Sequence, residues 1–89
     1  MLVDPEAFAD RDIARIYIAG RLTEARRVES VLSEEGIDYA VEIEPFRTLL
    51  LGIFPRQYDG VAFYVLSEQA ALARHTLEGA RLRAGLVDE

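Results

Sequence analysis

Apolar and polar residues begin to alternate at Ile13, and that alternation sets the frame of the chain. Over Ile13–Ala19, Ala14, Ile16 and Ile18 fall on one side while Ile13, Arg15 and Tyr17 fall on the other, the two-residue period of a strand. Gly20 and Arg21 interrupt it, and the period lengthens to that of a helix through Ala25, Val28, Val31 and Leu32. Thr23 is the expected N-cap, and Glu24 places a carboxylate at the positive end of the helix dipole. Gly36 supplies the left-handed stop, with Leu32 and Ile37 as the hydrophobic pair of a Schellman motif.

Period two returns over Asp38–Glu44, where Tyr39, Val41 and Ile43 are expected to face the core. Gly60–Leu66 is apolar on both sides, which predicts a strand in the middle of its sheet. Ser67 is the expected cap of a second helix, with Ala70, Ala73, Leu77, Ala80 and Ala84 at core spacing. Arg81 and Arg83 would complement its C-terminal end and Gly85 would stop it. Gly79 within that helix predicts a close packing contact, since glycine there lowers helix stability by about 1 kcal/mol. Residues 1–12 form an N-terminal arm with a short turn after Asp4-Pro5.

The resulting order, β-α-β-β-α, is an α+β class. It predicts a single domain over residues 1–89 with a ferredoxin-like sandwich: a three-stranded sheet, the third strand between and antiparallel to the first two, and both helices on one face. The fourth strand of such a sandwich is missing. Its place would be left open, taken by residues 1–3 or supplied in trans by another subunit.

Composition narrows the function. An apolar fraction of 51% supports a packed core in 89 residues, and a domain of that size gains from a partner's burial, so a homo-oligomer is expected. The net charge of −6 argues against nucleic acid and against anionic membrane surfaces. There is no cysteine for a disulfide, thiolate nucleophile or zinc-thiolate site. No basic-then-apolar leader is visible and no apolar run reaches membrane length, so the expected location is cytoplasmic. All ten basic residues are arginine.

Candidate chemistry is sparse. His75 stands alone inside the second helix, and Asp38, Glu42 and Glu44 read as a solvated acidic face lacking the spacing of a calcium loop. No cofactor, metal site or catalytic residue is expected, and the chain does not read as an enzyme. Acylphosphatases share the element order and a first-loop arginine, but they require an asparagine and this chain has none. Gly20-Arg21-Leu22-Thr23 opens a helix directly after a strand, where Gly20, Arg21 and Thr23 could hold an anion. The segment Pro45–Asp59 reads as a long loop, yet it carries Phe46, Leu49, Leu50, Leu51, Ile53, Phe54 and Tyr58, enough for an interaction patch.

The strand Ile16-Tyr17-Ile18, the helix Thr23-Glu24-Ala25 to Val31-Leu32, and Glu34-Glu35-Gly36-Ile37 together make a pattern. It continues through Leu49-Leu50-Leu51-Gly52 and through Gly60-Val61 to Val65 before an alanine-rich helix. Over roughly residues 13–80 this resembles a family of small bacterial signal-transducing domains related in fold to the PII (GlnB-like) regulators. In PII proteins the loop between the second and third strands docks on targets and nucleotide binds between subunits of a trimer. The resemblance thus implies a regulatory domain acting through residues 45–59. The absence of lysine and of a basic cluster in the sequence keeps nucleotide binding from being carried over.

Two functions are therefore expected. The first is a non-enzymatic regulatory or protein-interaction domain working through the 45–59 segment, self-associated or bound to a protein partner. The alternative is a sensor of a small ligand (an amino acid, a nucleotide or another anion) at the strand 1–helix 1 loop.

Overall fold

The computed structural model describes residues 1–50 and 54–87, and of 44–59 only the backbone. A 3-10 turn, Pro5–Phe8, precedes β1 (Ile13–Ala19), α1 (Leu22–Glu34), β2 (Ala40–Leu50) and β3 (Phe54–Leu66); a second 3-10 turn, Ser67–Gln69, leads into α2 (Ala70–Gly79). The sheet order is β1-β3-β2, with β3 antiparallel to both neighbours, as the two-sided apolar pattern of Gly60–Leu66 demands. This is a small α+β architecture compatible with a ferredoxin-like fold.

The main core lies between the sheet and the two helices. Ala25, Val28 and Leu32 of α1 and Ala70, Ala73 and Leu77 of α2 close on Ala14, Ile16, Tyr17, Ala19, Tyr39, Phe63 and Val65. Side chains the size of Val28, Leu32 and Leu77, fully buried here, contribute about 1.5–3 kcal/mol each. Tyr39 and Phe63 meet across the strands with ring centroids 5.7 Å apart.

Three expectations about β1 and β2 change. Arg15 pairs with Tyr64 but Tyr17 pairs with Phe63, so Ile16 is the extra residue of a β-bulge. Beyond it the parity flips: Tyr17 and Ala19 turn into the core while Ile18, expected there, is only half-buried. Ile43, also expected inside, is 60% exposed.

The larger correction concerns residues 45–59. They do not form a loop: β2 and β3 stay paired residue for residue from Pro45–Asp59 to Leu50–Phe54, making a long hairpin. β1 ends opposite Val61, so among the described residues these last six pairs form a two-stranded ribbon without a third strand. Of the apolar residues singled out, Phe46, Leu49, Leu50, Phe54 and Tyr58 lie in this ribbon, while Leu51 and Ile53 fall outside the described residues.

Both sheet edges are partly covered by the chain's own ends. The Ile18 amide donates to the Gly85 carbonyl at 2.8 Å and the Val87 amide to the Ile16 carbonyl at 2.9 Å, making Leu86 a one-bridge remnant of a fourth strand beside Tyr17. That edge strand is supplied in cis. At the other edge Leu2 bridges Tyr39, with the Val3 amide bound to the Tyr39 carbonyl at 2.8 Å. The Pro5–Phe8 turn, capped by the Asp4 carboxylate on the Glu6 amide, packs beside β2 on the face away from the helices, where Phe8, Ala40 and Ala62 are buried.

Candidate functional site

An open cleft of about 530 Å³ lies where the N-terminal end of α1 faces the chain that follows α2. Tyr17, Arg21, Thr23, Glu24 and Arg27 line one side, and Arg81, Leu82, Arg83 and Ala84 the other. Four of the ten arginines of an acidic chain thus surround one space.

The α1 wall is built differently from the sequence expectation. Arg21, in extended conformation, occupies the N-cap and contributes no side-chain cap; Thr23 lies two residues too far inside the helix to cap it. Glu24 does that work instead. One carboxylate oxygen accepts the Gly20 amide at 3.2 Å and the other accepts the Tyr17 hydroxyl at 2.5 Å. A glutamate in the third helical position reaching back over the N-terminus is close to the acidic half of a capping box, but shifted by one residue: it takes the amide of Gly20, which precedes the cap, rather than that of Arg21. Its consequence for the site is direct: the Gly20 amide, expected to greet a ligand anion, already holds an internal one.

Tyr17 forms the floor. The bulge at Ile16 turns it toward the helices, and burial, followed by its bond to the Glu24 carboxylate, pushes its hydroxyl up to about 12, so it stays protonated and donates. Tyr39 repeats the device farther along α1, donating to Glu29 at 2.8 Å, with burial and that bond again raising it to about 12.

The far wall follows from how α2 ends. The helix stops at Gly79, short of the expected Gly85; Ala80 is its cap and Arg81 stands at φ 66°, in the left-handed region. The Arg81 amide donates to Glu78 at 2.9 Å and the Leu82 amide to Leu77 at 2.9 Å, the bond pair of a Schellman motif, with Leu82 buried beside Leu77. The same motif closes α1, where Gly36 at φ 72° sits between the Ser33 and Leu32 carbonyl bonds as expected. Arg27 ties the walls together by donating to the Ala80 carbonyl at 2.9 Å, so the cation at the negative end of α2 comes from α1. Arg81 and Arg83 lie beyond the helix.

Gly85 then crosses Tyr17. A Cβ there would come within 2.1 Å of the Ile18 carbonyl oxygen and 2.6 Å of the Tyr17 ring, so only glycine fits. The close contact expected at Gly79 is here; Gly79 itself faces open space. Ser67 does not cap α2, whose start is a 3-10 turn with no side-chain cap.

The predicted anion residues Arg21 and Thr23 therefore do line a cleft, joined by Arg27, Arg81 and Arg83, which sequence reasoning left out of the site. Their only sequence signal is the recurrence of arginine near both helix termini. Among the described residues no three acidic or histidine side chains cluster as a metal site, and His75 is exposed on α2. Asp38 lies near the chain's amino terminus, 3.9 Å away. No described helix is long and apolar enough to cross a membrane. No protein family, curated protein or solved structure matches this chain.

Proposed function

We propose that this chain is a non-enzymatic binding module for a small phosphate- or carboxylate-bearing molecule, held in the cleft between α1 and the segment after α2. The observation that supports it is the gathering of Arg21, Arg27, Arg81 and Arg83 around one space. Among the described residues, Arg21, Arg81 and Arg83 have no carboxylate partner, and the one carboxylate in the cleft is engaged by Tyr17 and Gly20. Four guanidinium groups around a single carboxylate leave an excess of positive charge, and a bound anion offsets the remaining repulsion while accepting forked guanidinium bonds. A regulatory role is what the resemblance to bacterial signal-transducing domains adds.

Thermal unfolding with inorganic phosphate, pyrophosphate and citrate, against sodium chloride at matched ionic strength, tests the reading. A ligand at a hundredfold excess over its Kd adds about 2.7 kcal/mol, a rise of roughly ten degrees or more for a domain this size. Arg21→Ala should remove most of that rise while leaving the unliganded Tm nearly unchanged. A panel without any anion-specific shift overturns the proposal.

A second reading, interaction through residues 45–59, is favoured by the backbone of the ribbon. A two-stranded hairpin unsupported by a third strand is marginal in water, and this one continues for seven pairs past the end of β1. It gains stability by lying against another surface, a second copy of the chain or a protein partner. Sedimentation of the Leu50→Asp, Ile53→Asp double variant should then show loss of any self-association seen for the parent chain. Identical sedimentation of an associated parent and variant removes the reading.

A further inference from the structure

Arg81 is out of place in the left-handed position after α2. The left-handed position of a Schellman motif favours glycine, and α1 uses Gly36 there. One other described non-glycine residue has positive φ, Asp10, whose short polar side chain can bond to nearby backbone and tolerates the region. An arginine has no such compensation, so the fold holds an unfavourable backbone conformation at a residue lining the cleft. Strained backbone of this kind gathers at ligand sites. The strain is also well enforced: Leu82 next to it is buried in the core, and the Arg81 and Leu82 amides are both bonded.

The two walls supply anchors from different elements, Arg21 from the α1 cap and Arg81 with Arg83 from the turn after α2. A single small anion satisfies one wall; a ligand with two linked anionic groups satisfies both. We propose that Arg81 is a second anion anchor and that the cleft selects molecules carrying two linked anionic groups, of which a diphosphate is the simplest. This rests on the anion-binding reading of the cleft.

Calorimetric titration with pyrophosphate and orthophosphate, on the parent chain and on Arg81→Gly, Arg81→Asn and Arg21→Ala, tests it. The parent should bind pyrophosphate at least about tenfold more tightly than orthophosphate, a gap of about 1.4 kcal/mol. Arg81→Gly and Arg81→Asn should both close that gap with little change toward orthophosphate, and Arg81→Gly should raise the unliganded Tm by several degrees. Unchanged pyrophosphate affinity in both Arg81 variants, or a lower Tm in Arg81→Gly, overturns the role of Arg81. If the parent binds the two anions equally and Arg21→Ala abolishes both, the selection for paired anions falls and the site stands. If the parent binds neither, the site reading falls with it.

Discussion

Tyr17 and Tyr39 each bury a ring under the helices and donate a hydrogen bond to a glutamate of α1. Burial and the neighbouring carboxylate both disfavour the phenolate, so each folded-state pKa rises from 10 to about 12. The sign of the linkage follows. Below pH 10 both tyrosines are protonated whether the chain is folded or not, and their contribution is fully present. Above it the unfolded chain ionises first, and stability declines until the folded pKa near 12 is passed. Urea midpoints should therefore fall between pH 10 and 12, and the fall should be shallower in Tyr17→Phe and Tyr39→Phe. An identical slope in both variants would assign the alkaline loss elsewhere. At this scale the sequence was partly legible. Glu24 was visible as a first-turn acid, but its partner Tyr17 was assigned to the wrong face. One unpaired residue at Ile16 reverses every later side chain of β1, and no residue in Ile13–Ala19 announces it.

Helix endings divide the same way. The stop at Gly36 was readable, because Leu32, Gly36 and Ile37 stand at the spacing a Schellman motif requires and glycine is the residue it prefers. The identical motif at Leu77, Arg81 and Leu82 was hidden by its arginine. Gly79 and Gly85 drew attention instead, one a helical residue facing open space and the other a crossing point over Tyr17. The two glycines at helix ends should thus respond oppositely to alanine. Gly36→Ala forces a side chain into the left-handed region and should lower stability by about 1–2 kcal/mol. Gly79→Ala adds a methyl where nothing lies within 4 Å and should raise stability by about 0.5–1 kcal/mol. Urea unfolding of both variants measures this; loss of stability in Gly79→Ala would show that the end of α2 needs glycine after all. The strand lengths misled for a related reason. Pro45 and Pro55 are unusual residues for a strand, yet both lie in the part of the hairpin beyond β1, where β2 and β3 each have a neighbour on one side only among the described residues.

At the scale of the whole molecule the central-strand order of β3 and the two-helix face followed from hydrophobic pattern alone, since burial on one side of a sheet leaves little choice of register. The cleft did not follow, because it joins residues 17–27 to residues 81–84 and depends on where the chain turns after α2. That turn delivers the segment Gly85–Val87 to the outer edge of β1, fastened by the Ile18 and Val87 amides and by Arg74, which donates to the Val87 carbonyl at 2.8 Å. So short a strand opens far more easily than the sheet behind it, and those two amide protons exchange with solvent whenever it does. A ligand gripped by Arg83 and Ala84 on one side and Arg21 on the other would have to let go first. Deuterium uptake at Ile18 and Val87 should slow on saturation with pyrophosphate while Val28 and Leu32, deep in α1, keep their rates. Residues 85–87 would then serve as a latch whose closing records that the cleft is filled.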